Sequence, residues 1–210
     1  MIYLLPGIKK KSAWQFVTCE GAALSLGYVT ASGGWILLSD PSKREVKFYY
    51  GGAGGGLSAQ IKIPKIGKKQ IDIPPVTGAG SEAAFPSMGE LFITTGFQGN
   101  ELRKSDIEGT CAFVEIGIGV IAGVSGTLML LGVDPFLLAK AAQQMGHAVP
   151  ITDKGTLATV DPNRAMSTVI EDIGFRQLFN SARAVLRMGG INVGIQAGAG
   201  VSGCLGYLHS

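Results

Sequence analysis

The chain has 210 residues, 46% of them hydrophobic and only 16% charged, with a formal net charge of +3. This length suits one domain with a sizeable core, and so mild a positive bias gives no basis for a nucleic-acid partner. The 32 glycines, set against only 9 prolines and many apolar residues, exclude a disordered linker composition.

The start, MIYLLPGIKKK, places a short apolar run before Lys9, Lys10 and Lys11, the reverse of a secretory signal. The chain is therefore expected in the cytoplasm, or exported without a Sec signal. Leu24, Leu26 and Tyr28 alternate with Ser25 and Gly27 as in a strand, and WILLSDPSKREVKFYY reads as a hairpin with its turn at Asp40–Lys43. Val46, Phe48 and Tyr50 then occupy even positions, whereas Leu57, Ala59, Ile61 and Ile63 occupy odd ones. The run GGAGGG, Gly51–Gly56, stands where the parity switches, which predicts a bulge or sharp bend.

Residues 64–89 hold four prolines and little periodicity, so they are expected to form an exposed excursion from a single domain spanning 1–210. Lys62, Lys65, Lys68 and Lys69 lie in or beside it, interleaved with Ile61, Ile63 and Ile66. Together with Lys9, Lys10 and Lys11 they are the candidate membrane or anion contacts, because each basic residue close to anionic lipid contributes about 1 kcal/mol. Alternation resumes through Leu91, Ile93, Thr95 and Phe97.

From Val114 to Leu131, apolar residues again alternate with small or polar ones. The uncharged run Ile116–Val133, with Gly119 and Gly123 four apart, also fits a transmembrane helix. The sustained alternation favours one long strand, or two joined at a kink near Gly123 or Gly126, and no transmembrane helix is expected. Glu115 falls on the small-residue face of this segment and is a candidate pocket residue. Asp134-Pro135 then caps a helix over about 135–145, and Asp161-Pro162 opens a second over about 162–188.

The chain closes on GGINVGIQAGAGVSGCLG, Gly189–Gly206, whose odd positions are mainly apolar and whose even positions are small or polar, the pattern of a long strand. Gly117–Leu128 and Gly194–Leu205 share eight of twelve residues, which suggests equivalent strands of one sheet. The fold class expected is α+β: a mainly antiparallel, strongly curved, Gly-rich β-sheet or partial β-barrel, with two helices before a long C-terminal strand.

Chemistry is sparse. GGAGGGLSAQIKI lacks the Gly-Lys-Ser/Thr ending and the following helix of a phosphate loop. G-V-S-G around Ser125 and Ser202 does not match a nucleophile elbow. His147 and His209 stand apart, so no metal site is expected, and Cys19, Cys111 and Cys204 read as separate thiols. Without a carboxylate pair or any nucleophile–base pair, the chain is expected to be neither an enzyme nor a cofactor binder.

The segment REVKFYYGGAGGGLSAQI resembles the Gly-rich strand pair of SYLF domains, in which an aromatic pair precedes a smooth glycine run. That resemblance implies lipid or membrane-surface binding without catalysis. The leading expectation is a non-enzymatic protein that binds lipid, a membrane surface or an apolar ligand. Its rival is a Sec-independent effector-like protein, or an oligomeric structural or interaction protein, that inserts in or assembles at a membrane. Alternating strands of ten or more residues are long enough to span a bilayer as a β-barrel. The partners expected are a lipid surface, and a protein partner or further copies of the chain.

Overall fold

A computed structural model describes residues 7–26, 29–60, 79–119, 122–145, 173–194 and 198–210. Its strands, in chain order, are β1 Ile8–Lys11, β2 Gln15–Leu26, β3 Val29–Ser39, β4 Glu45–Gln60, β5 Ala79–Thr94, β6 Gly109–Gly119, β7 Ala122–Leu131, β8 Ala184–Gly194 and β9 Gly198–His209. Three helices are described, α1 Lys104–Ile107, α2 Pro135–Met145 and α3 Ile173–Ser181.

Every strand pairing is antiparallel, and the order is β1-β5-β2-β3-β4-β9-β6-β7-β8, with β5 also paired to β8. That last ladder closes eight strands into a ring, so the strongly curved antiparallel sheet predicted is present as a barrel. Paired positions lead from Ile93 through Ala184, Leu131, Cys111, Gly206, Gly52, Ser32 and Ala23 back to β5 at Glu82. A stagger of about ten residues in an eight-stranded ring corresponds to strands tilted by roughly 40°.

Closing so small a ring brings neighbouring backbones together at its corners. A Cβ added at Gly34 would run into the Glu20 carbonyl oxygen, one at Gly54 into that of Gly203, and one at Gly206 into that of Gly51. Glycine is required at these three positions for lack of space.

Two apolar layers hold the barrel. One fills its interior at one end, with Ile36, Leu38, Phe48, Leu91, Ile93, Phe113, Met129, Leu186 and Leu208 all at most 1% exposed. The other lies outside the wall, where Val114, Leu128, Leu130 and Val185 meet Leu178 and Phe179 of α3 and Leu137 and Leu138 of α2. Burial, reinforced by neighbouring Cys204, pushes the Cys111 thiol up to about 12. All three cysteines are buried thiols without a disulfide.

The β3–β4 hairpin forms as its turn chemistry predicts. The Asp40 carboxylate accepts bonds from the Arg44 backbone N–H and Nε, both at 2.9 Å. Asp134 likewise caps α2, its Oδ1 accepting from the Phe136 and Leu137 N–H groups at 2.8 and 3.2 Å.

Four expectations need correction. The glycine run holds no bulge, because β4 keeps unbroken register with β3 and β9 from Glu45 to Gln60. Residues 79–89, expected within the excursion, belong to β5, which accommodates Pro86 at a register shift beside Met88, and residues 64–78 lie outside the described residues. Gly189–Gly206 is divided between β8 and β9, which are not neighbours in the sheet, so the helices precede two strands, and each repeated segment runs from the end of one strand into the next. The second helix stops at Ser181, and Ala184–Met188 starts a strand. Ala184, Leu186 and Met188 pack inside the barrel while Val185 packs against the helices, so burial on both faces erased the alternation. Residues 162–172 lie outside the described residues.

The N-terminal arm is clamped to this end. Glu101 accepts from Ser12 Oγ at 2.5 Å and from the Ala13 and Leu102 N–H groups at 3.0 Å, while Trp14 Nε1 donates to the Leu102 carbonyl at 2.9 Å. Burial works against the Glu101 charge, but these donors and nearby Lys10 outweigh it and hold its pKa below the ordinary 4.5.

Two predictions follow from corners and clamp. Gly54→Ala is expected to lower the denaturation midpoint by the equivalent of about 1–3 kcal/mol. Gly51→Ala, with nothing within 4 Å of the added Cβ, is expected to stay within about 0.5 kcal/mol of wild type. Glu101→Gln is expected to cost about 1 kcal/mol at pH 7, discounted for solvent screening. Because the folded pKa is depressed, the wild-type advantage should hold above pH 4.5 and vanish as pH falls through the folded value, which urea titrations across pH will check.

Candidate functional site

The barrel reverses its pattern halfway along its strands. At the core-filled end the inner register carries large apolar residues: Ile36 and Leu38 on β3, Phe48 and Tyr50 on β4, Phe113 on β6 and Leu208 on β9. Farther along the same strands the inner register carries Ser32 and Thr30, then Gly54, Gly56, Ser58 and Gln60, then Glu115, Gly117 and Gly119, and Ser202, Gly200 and Gly198. The outer register there carries Leu24 and Leu26, Val29 and Ala31, Leu57 and Ala59, Ile116 and Ile118, Val124, Ile191 and Val193, and Val201. The parity switch at the glycine run therefore marks a barrel whose apolar residues move from inside to outside.

This half bears two charged residues among those described, Glu82 and Glu115, both on the inner register. Glu115 stands opposite Thr127 of β7 and Ser202 of β9, and Glu82 opposite Ala23 of β2 and Gly194 of β8. Glu115 was visible in the sequence as a charge on a small-residue face. Glu82 was hidden inside the expected excursion, and only its pairing on both sides reveals its register.

Two aromatic rings mark the inner boundary between the halves. Tyr50 and Phe113 meet edge to face with centroids 5.5 Å apart. Glycines make room for both: a Cβ at Gly21 would strike the Tyr50 hydroxyl, and one at Gly52 would come within 3.0 Å of the Phe113 ring. On the outer face, Trp35 and Tyr49 are direct cross-strand partners. Tyr49, 45% exposed, stacks on His209 at 5.8 Å, and Tyr207 is 57% exposed. Lys47 Nζ sits 4.1 Å from the Trp35 ring centre and 5.2 Å from that of Tyr49, and Trp35 Nε1 donates to Glu20 at 3.0 Å. Sequence reading missed this aromatic group, although alternate aromatics at the start of the glycine run were its signal.

Of the lysines singled out, Lys9, Lys10 and Lys11 lie exposed on β1 at the core-filled end. Lys9 Nζ donates to the Gly99 carbonyl at 3.1 Å, and Lys11 pairs with Glu90 at 2.7 Å. Lys62, Lys65, Lys68 and Lys69 fall outside the described residues, as does His147. Among the described residues no group of three metal-ligating side chains gathers, and no helix is long and apolar enough to cross a membrane.

The chain is 38% identical over 200 residues to the toxin protein Tse4 of Pseudomonas aeruginosa, a match covering 94% of each chain. No family model and no solved structure matches it. The resemblance to SYLF domains is thereby overturned: the aromatic pair and glycine run belong to the barrel wall of a chain matched along its length to this toxin, where they mark the reversal of its faces. The expectation that the chain is not an enzyme is also withdrawn, since toxins often act by catalysis and this match removes the warrant for that exclusion. The effector-like reading gains over the lipid-carrier reading. At this identity and coverage, the chain belongs to the family of the toxin protein Tse4.

Proposed function

We propose that this chain is a membrane-inserting toxin whose glycine-lined barrel half crosses a target bilayer and provides an aqueous path into it. The carrying observation is the reversal of the barrel's faces. A water-soluble barrel keeps apolar residues inside, whereas a membrane-spanning one places them outside and lines its interior with polar residues.

The dimensions support this reading. Gly51–Gln60 of β4 gives ten residues beyond the exposed Tyr49, and a spanning strand needs about 9–11. At a rise of about 3.3 Å per residue and a tilt of roughly 40°, such a strand covers about 25 Å of hydrocarbon. Residues as small as Gly, Ala and Ser do not fill an eight-stranded ring, so the inner register of this half leaves space for water.

Glu82 and Glu115 would then be the charges of the lumen, and acidic groups in a narrow polar path favour cations. The lysines of β1, and those between β4 and β5, supply attraction to anionic lipid before insertion.

Release of a small dye from phosphatidylglycerol-containing vesicles tests the reading. Wild type is expected to release it, and silence with both anionic and neutral vesicles would overturn the proposal. Ala53→Arg places a charge at an exposed outer position of the folded protein, so folding should survive. Ala53 stands two residues inside the start of the proposed span, where an arginine costs less than the about 2–4 kcal/mol of mid-bilayer, so release should fall severalfold. In planar bilayers under a salt gradient, Glu115→Gln should move the reversal potential toward zero if this carboxylate faces the path.

A further inference from the structure

We infer that Trp35, Tyr49 and Tyr207 form an interfacial belt that seats in the headgroup layer of a bilayer and fixes how far the barrel enters it. The inference rests on the proposed insertion of the glycine-lined half, and it adds the depth and orientation of the inserted protein.

Three observations converge on these residues. First, they lie together on the outer wall. Trp35 pairs with Tyr49, and β9, which carries Tyr207, pairs along β4 with Tyr207 opposite Gly51. Second, they stand where the chemistry of the wall changes. Glu20 and His209 stand level with Trp35 and Tyr49 as their direct cross-strand partners, and Glu45 and Lys47 lie on the core-filled side; on the other side the outer register of β3 and β4 runs through Gly33, Ala31 and Val29, and through Gly51, Ala53, Gly55 and Leu57, without a charge. Third, Tyr49 and Tyr207 are about half exposed, so their rings are available at the surface beside a well-filled core.

Tyrosine and tryptophan favour the bilayer interface because a flat apolar ring and a polar edge suit its two environments. Lys47 fits the same place. Its ammonium rests over the Trp35 and Tyr49 rings, and from there its charge is available to a lipid phosphate while its stem covers the apolar face. The occupant of this surface is therefore the headgroup region of an anionic phospholipid bilayer.

The consequence is a fixed orientation. The core-filled end, with β1, α1 and the Glu101 clamp, stays in water on the side from which the protein arrives. The strands enter the bilayer beyond Trp35 and Tyr49.

Tryptophan fluorescence tests this directly. The chain has two tryptophans, Trp14, which is 4% exposed in the core, and Trp35. Trp14→Phe keeps an aromatic ring in the core and leaves Trp35 as the single reporter, with circular dichroism confirming an intact fold. This variant is mixed with phosphatidylglycerol vesicles containing phosphatidylcholine brominated near the headgroup or near the chain ends. Shallow bromines are expected to quench Trp35 at least twofold more than deep ones. Equal quenching, stronger deep quenching, or none at all while dye release persists would overturn the belt and leave insertion standing. Shallow quenching without dye release would support contact at the interface and defeat the proposed aqueous path. Joint replacement of Tyr49 and Tyr207 by alanine should raise the protein concentration needed for half-maximal release at least tenfold, and tryptophan at both should restore it. Unchanged release in the alanine variant would also overturn the belt.

Discussion

The ladder between β5 and β8 is the contact on which the rest of the structure depends. Without it, eight strands form a curved sheet with two long edges, each presenting unpaired N–H and C=O groups. With it, the described ring has no open edge, and that condition is what allows a strand to sit in hydrocarbon, where no water is present to satisfy backbone polar groups. The same closure dictates the corner glycines. Gly34, Gly54 and Gly206 lie where adjacent backbones approach too closely for any side chain, so part of the unusual glycine content follows from curvature alone.

Closure alone does not distinguish a soluble barrel from a membrane one, and the order of residues along each strand does. β4 carries both programmes in sixteen residues. Val46, Phe48 and Tyr50 occupy the inner register beside a dry core, and then Leu57 and Ala59 occupy the outer register across from Gly56, Ser58 and Gln60. An unbroken hydrogen-bond register forbids the backbone from rotating its faces. The switch is therefore chemical: the strand changes which face is apolar while its geometry stays constant. Tyr50 and Phe113 close the dry half from within at this boundary, and Trp35 and Tyr49 stand near it on the outside.

Legibility in the sequence followed the range of the interactions. The β3–β4 hairpin and the start of α2 were readable because Asp40 and Asp134 make their contacts within four residues. The closed ring was not, since nothing near Glu82 or Pro86 announces pairing with a segment more than a hundred residues later. The parity switch was readable as a pattern, but it was assigned to a bulge on the assumption that one face stays buried along the whole strand. The segment from Ala184 to Met188 failed differently, because packing on both faces leaves no alternation to detect. Glu115 stood out as a charge amid glycines, whereas the belt of Trp35, Tyr49 and Tyr207 acquires meaning only once three strands are placed side by side.

A chain that folds in water and then enters lipid faces opposing demands on one surface. Large apolar side chains on the outer wall would favour the bilayer and also drive the free protein to aggregate. The described outer positions near the reversal are small instead: Ala22, Ala31, Gly51 and Ala53 are exposed, and each offers little area to water. At about 25 cal/mol per Å² such residues contribute weakly one by one, and together they lie side by side on β2, β3 and β4. The larger rings are confined to the boundary, where their polar edges remain solvated in either setting. On the proposed reading, small residues next to the reversal and aromatics at the rim limit the apolar area presented there to water, while the larger apolar residues of the outer register, which favour insertion, lie farther along the strands.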